Sequence, residues 1–89
     1  MTLLRSFVGG ALRSARLAQS RSLRDVAKSA RVSLGYLSEV ERGQKEPSSE
    51  LLNSICEALG ITLSSLMSEV ALAIHASQSP TLTVVEDAA

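Results

Sequence analysis

Two serines, Ser22 and Ser33, constrain this chain more than any other feature of it. Each stands before a short amphipathic segment, where a serine side chain accepts from one of the orphan N–H groups that open a helix. Ser22-Leu23-Arg24-Asp25 reads as a capping box, with Asp25 reaching back to the serine's own N–H. The helix it opens runs to about Ala30 and turns Val26, Ala27 and Ala30 inward. Ser33 caps the next helix, whose buried pair is Leu37 and Val40, and Gly43 ends it as a residue free to take positive φ. Only three or four residues join the two, so they must cross tightly. Ala27 suits that crossing, since a larger side chain would push the helices apart.

The flanking segments follow the same helical period. Leu3, Leu4, Phe7, Val8, Ala11, Leu12 and Ala15 share one broad face of a first helix expected over residues 2–19, weakened by Gly9 and Gly10. Pro47-Ser48-Ser49-Glu50 restarts the chain after Gly43, with an acid in the first turn to suit the helix dipole. Leu51, Leu52, Ile55, Cys56 and Leu59 form the stripe of a fourth helix, which Gly60 stops. Thr62 caps a fifth over 62–77, with Leu63, Leu66, Met67, Val70 and Ile74 in line. The expected core is Val8, Leu12, Val26, Leu37, Val40, Leu51, Ile55 and Leu59, closed beneath by Leu63, Leu66 and Met67. Phe7 and Tyr36 are the only aromatics, so that core is aliphatic. The fold class is therefore all-α, a five-helix bundle in one domain over 1–77, with a flexible tail over 78–89.

Several function classes drop out. One cysteine, Cys56, on an apolar stripe, is a packing residue and allows no intrachain disulfide. One histidine, His75, late on the fifth helix, leaves too few ligands for a zinc or iron centre. No glycine loop, triad or carboxylate pair suggests catalysis, so the expectation is no enzyme, no metal and no cofactor. Arg5 interrupts the first apolar run, which argues against a signal peptide. Ile61 to Ala76 contains Glu69 and falls short of the roughly 20 residues that span a bilayer. A soluble, cytoplasmic protein with no membrane partner is expected.

Zero net charge conceals a segregation. All nine basic residues lie within residues 1–45 beside three acids, a net of +6, and the remainder carries six acids and no Lys or Arg, a net of −6. An anion-facing half and a second half with another task is the natural reading.

Two short helices joined by a tight turn, the second flanked by arginine, form the layout of a helix-turn-helix over 22–43. Its second helix would aim its N-terminal residues into a major groove, with Leu34, Gly35, Ser38 and Glu39 outward and Tyr36 to one side. The run Asp25-Val-Ala-Lys-Ser-Ala-Arg-Val-Ser-Leu-Gly-Tyr-Leu-Ser-Glu-Val-Glu-Arg-Gly43 resembles the Cro/phage-repressor, or xenobiotic-response-element, type of this motif. The resemblance extends over about residues 8–68. Within it, Ser33-Leu-Gly-Tyr-Leu-Ser-Glu-Val-Glu-Arg-Gly-Gln-Lys-Glu-Pro-Ser-Ser-Glu-Leu-Leu52 is similar to the actinobacterial Clp-gene regulators, which activate genes for the Clp protease and related proteostasis factors.

That resemblance implies roles. Arg16 matches an arginine that pairs with a glutamate on helix three, here Glu41, as a structural ion pair. Leu34, Gly35, Ser38 and Glu39 match base-facing positions, with Ser33 at the helix start. Glu39 either accepts from a cytosine amine or simply faces solvent, and Tyr36 is expected on a phosphate or a thymine methyl. Arg42, Gln44 and Lys45 match the stretch that meets the phosphate backbone, and Arg24 joins them. Leu23 stands where many members have a phosphate-contacting glutamine. Arg31 replaces the usual turn glycine, at a cost if φ is positive there, and its charge is expected to reach phosphate.

The expected function is sequence-specific recognition of double-stranded DNA by a homodimer on a palindromic operator, as a transcriptional regulator of the bacterial nucleoid. Activation of Clp and proteostasis genes is implied by the resemblance. The alternatives are an antitoxin or phage-type repressor, or an adaptor of the same fold that binds no DNA. Leu3, Leu4, Phe7, Val70, Ala71 and Ile74 are apolar beyond what so small a domain covers, and are expected at the dimer interface. The competing view is that helix five folds back over its own helix one and the protein stays monomeric. RNA polymerase is a further expected partner of the acidic half. The end, Ala88-Ala89, reads either as a tail recognised by Clp protease or as a frayed terminus.

Overall fold

The computed structural model describes residues 3–78, and the Ala88-Ala89 reading lies outside them. Five helices follow in order: α1 Leu4–Ala18, α2 Leu23–Ala30, α3 Leu34–Glu41, α4 Ser49–Leu59 and α5 Leu63–Gln78. The cap chemistry sets the starts of α2 to α5. Ser22, Ser33 and Ser48 each accept from the N–H three residues on, at 3.0, 3.0 and 3.2 Å, and Thr62 does so at 3.0 Å. The reciprocal half of the expected capping box is replaced. The Asp25 carboxylate turns outward and accepts from Arg21 Nε at 2.6 Å.

Val8, Leu12, Val26, Ala27, Ala30, Leu37, Val40, Ile55, Cys56, Leu59, Leu66 and Val70 are buried together. α2 packs on α3 and α4, while α1 packs on α3 and α5. Three expectations about the core need correcting. Leu51 is exposed, and its neighbour Leu52 leans on the core instead. Leu63 and Met67 stay exposed, so Leu66 and Val70 close the bundle from α5. Val70, expected at a dimer interface, is only 3% exposed, because α5 folds back along its own α1. Phe7 and Ile74, assigned to the same interface, are likewise packed partly against the core.

Gly9 explains how α1 and α3 come so close. A Cβ there would overlap the Val40 carbonyl oxygen and sit 2.6 Å from that of Glu41, both rigid backbone atoms of α3. The glycine that weakens α1 in isolation is what lets the bundle form. Among the described residues no single helix is long and apolar enough to cross a membrane.

Candidate nucleic-acid interface

Burial of Leu37 and Val40 fixes the rotation of α3 about its axis. Leu34 and Gly35 therefore face outward at its first turn, and Ser38 and Glu39 follow half-exposed. A Cβ on Gly35 would meet nothing within 4 Å, so no packing demand within the fold keeps this position small. Tyr36 is half-buried against the core, and burial pushes its phenol pKa above the ordinary value. Its ring is thus shared between core and surface, more inward than the sequence suggested.

The exit from α3 is a polar strip. Arg42 Nη1 donates to Ser38 Oγ at 2.5 Å and Nη2 to Gln44 Oε1 at 3.2 Å. Lys45 lies 3.9 Å from Glu39, with both side chains substantially exposed. Such a pair contributes little in water and is readily exchanged for another anion. Arg24 on α2 and Arg31 at its end are also exposed, and Arg31 lines an open pocket with Ser54, Glu57 and Ala58 of α4. Arg31 adopts φ 62° and ψ 39°, the left-handed conformation expected to strain a residue with a Cβ. Its N–H donates to Lys28 O at 3.2 Å and that of Val32 to Ala27 O at 3.0 Å, closing α2 into the tight turn.

Behind this surface, α1 holds α3 in place. Arg16 Nε and Nη2 donate to Glu41 Oε2 and Oε1 at 2.8 and 3.0 Å, a bidentate pair, and Nη1 donates to Arg21 O at 3.0 Å. The Glu41 side chain is 7% exposed and that of Arg16 12%, so the pair is largely shielded from solvent. The hydrogen bonds to Glu41 raise the Arg16 pKa against the opposing effect of desolvation. Of the other expected positions, Ser33, Leu34, Gly35, Arg42, Gln44, Lys45, Arg24 and Arg31 are exposed, and Ser38 and Glu39 half-exposed.

Four residues with structural or surface roles here were not singled out from sequence. Gly9 sets the α1–α3 approach. Arg5 Nε donates to Gly43 O at 2.9 Å, tying the end of α3 to the start of α1. Arg21 Nη1 caps α4 by donating to Ala58 O at 2.6 Å. Arg13 is exposed beside Ser38 and Arg42, and only its membership of the basic half hinted at it. The single thiol, Cys56, is buried, and burial raises its pKa.

Residues 12–66 match the family described as helix-turn-helix, and the chain belongs to that family, of the Cro/phage-repressor type. Its likeness to one group is strong. It is 66% identical over 62 residues to the transcriptional regulator ClgR of Mycobacterium tuberculosis, covering 70% of this chain and 55% of that protein. The chain thus spans little more than half the length of this curated relative. The crystal structure of the clp gene regulator ClgR from Corynebacterium glutamicum superposes with a TM-score of 0.81 at 47% identity, covering 98% of this chain and 95% of that one. A more distant structure, the restriction–modification controller protein C.Esp1396I bound to a 25 base pair operator site, shares the fold with a TM-score of 0.76 at 20% identity, over 83% and 97% of the two chains.

Proposed function

We propose that this chain is a non-catalytic transcriptional regulator that binds duplex DNA through α3 and activates genes of the Clp protease and related proteostasis factors. The observation that carries the DNA reading is the outer face of α2–α3. It presents Leu34, Gly35, Ser38 and Glu39 at the first turns of α3, with the exposed cations Arg42 and Lys45 at its exit. Cations of that kind supply sequence-independent affinity through counterion release, and the start of α3 supplies discrimination. The target genes rest on the likeness to the clp gene regulator ClgR of Corynebacterium glutamicum, and activation on the sequence resemblance alone.

The same reading includes a homodimer on a palindromic operator, acting in the bacterial cytosol on the nucleoid, with the acidic half turned toward RNA polymerase. Side chains that stay exposed in the single chain support a different apolar surface for the pairing. Leu4 is 59% and Met67 38% exposed, and the two line one groove with Leu52 and Pro47. Leu63, Met67 and Ala71 follow one another at helical spacing on the exposed side of α5. These, with Leu3, replace Val70 as the apolar surface to be covered.

Selection of bound duplexes from a random pool, followed by genome-wide footprinting, tests the function. A palindrome upstream of protease genes is the expected result. No retardation of any duplex at low salt would instead favour the adaptor. A site confined to the chain's own promoter would favour the repressor or antitoxin. Sedimentation of Leu4→Asp beside the parent tests the pairing. A parent that is monomeric at micromolar concentration refutes it, and a mutant that remains dimeric moves the interface elsewhere.

A further inference from the structure

We infer that Arg13, on α1, is a DNA-contacting residue that together with Arg42 clasps one backbone phosphate of the bound duplex. This rests on the DNA reading above and extends it to a helix outside the α2–α3 pair. Arg13, Ser38, Glu41 and Arg42 line an open groove of about 330 Å³ between α1 and α3. Three observations give that groove its character. Glu41 is spent as an anion, because both its oxygens accept from Arg16 at 2.8 and 3.0 Å. The groove is left with two guanidinium groups and a hydroxyl, a net positive pocket. Arg42 is held in place by Ser38 Oγ and Gln44 Oε1, so its planar fork is set before any ligand arrives. Arg13 is exposed and makes no hydrogen bond or ion pair among the described residues.

Two like charges sharing one groove repel each other, and a phosphodiester between them replaces repulsion with charge-assisted hydrogen bonds. The duplex is the source of that phosphate because of what adjoins the groove. Ser38 belongs both to its lining and to the outward face of α3. A strand whose bases meet Leu34, Gly35 and Ser38 therefore runs its backbone along this rim. Arg13 stands one helical turn before Arg16, whose pairing with Glu41 fixes its distance from α3. Positioning of the phosphate is thus built on the same ion pair that orients α3.

Arg13→Gln and Arg13→Lys test this against Lys45→Ala in the full chain, using a duplex selected by the parent and an unrelated duplex across a range of salt. Loss of one phosphate contact lowers the salt slope by about 0.9, which at 0.1 M salt is a factor of about eight in affinity. Arg13→Gln should show that loss equally on both duplexes, and Arg13→Lys should restore most of the slope. Neutral methylphosphonates placed singly along the selected duplex should reveal one position that weakens the parent and leaves Arg13→Gln unaffected. An Arg13→Gln protein with parental slope, beside a Lys45→Ala protein whose slope falls, overturns the groove and leaves the DNA reading standing. A parent that binds no duplex overturns both. Inorganic phosphate that shifts the parent's but not the Arg13→Gln spectrum, with duplex binding unchanged, assigns the groove to a free anion and also overturns the proposal.

Discussion

Replacing Gly9 and Gly10 by alanine, one at a time, should move stability in opposite directions. The two are neighbours on α1 with the same helix propensity, so their intrinsic gain on becoming alanine is the same, at most about 1 kcal/mol each. Their surroundings differ. Gly10 is exposed and an added Cβ meets nothing within 4 Å, so Gly10→Ala should keep the full gain. At Gly9 the methyl group would overlap Val40 O and stand 2.6 Å from Glu41 O and 2.9 Å from the Glu41 carbonyl carbon. None of these can rotate away, so α1 and α3 must separate. Overpacking of this kind costs about 1–3 kcal/mol, and rigid obstacles place it in the upper part of that range. Subtracting the propensity gain leaves Gly9→Ala destabilised by about 1–2 kcal/mol. For a domain of this size each kcal/mol moves Tm by about 4–8 °C, so Tm should fall by about 5–15 °C in Gly9→Ala and rise by several degrees in Gly10→Ala. Thermal and urea unfolding followed by circular dichroism, at one fixed protein concentration, reads both. A Gly9→Ala protein as stable as Gly10→Ala would refute the close approach.

Glu41→Gln should cost about 2–3 kcal/mol in urea unfolding, because it strands the Arg16 charge in a largely buried site, whereas Arg16→Met with Glu41→Leu should recover most of the loss. Arg31→Gly should raise stability by about 1 kcal/mol by relieving the left-handed backbone at φ 62°, while weakening binding to all duplexes alike. Tyr36 is the only tyrosine, so ultraviolet absorbance reads its ionisation directly, and the midpoint should lie above the usual 10.0. Since the folded pKa is the higher one, the neutral phenol favours the fold below the unfolded pKa. Stability should therefore decline as pH rises from there through the folded value. A midpoint at the ordinary value would mean that the ring stands in water.

Local chemistry was legible in the sequence, and contacts across the chain were not. Ser22, Ser33, Ser48 and Thr62 mark helix starts because a cap answers only to N–H groups two or three residues away. Gly60 ends α4 at φ 68° for a reason equally local. Periodicity also placed Leu12, Leu37 and Ile55 inside. It misjudged α5, where Leu63, Leu66, Met67 and Val70 all fall on one broad apolar arc. Only the tilt of α5 against α1 decides which half of that arc is covered. The caps on α4 lay further out of reach. Gln19 Nε2 donates to Leu59 O at 2.6 Å, and Arg21 reaches Ala58 O, across nearly forty residues. Polar side chains in a loop carry no sign of which distant carbonyl they will satisfy.

The outward face of α3 depends on residues that touch no ligand. α3 has eight residues, too few for an isolated helix to persist in water. Its orientation comes from packing on α2 and α1 together, and the α1 contacts set its pitch. Gly9 admits the backbone of Val40 and Glu41, and Arg16 holds the Glu41 carboxylate by two hydrogen bonds. Past its end, Gly43 sits at φ 74° against Ser6, where a Cβ would come within 2.6 Å of Ser6 Oγ, while Arg5 takes the Gly43 carbonyl. These contacts fix the pitch of α3 relative to α1, and so relative to any phosphate that the Arg13 side of α1 holds. A change at Gly9 or Arg16 therefore alters affinity by tilting α3 against a fixed backbone contact, with every outward side chain still in place. Direct loss of a contact, as at Lys45, leaves the pitch intact. The two kinds of defect separate by base preference, which a tilt disturbs at several positions together and a lost phosphate contact leaves alone.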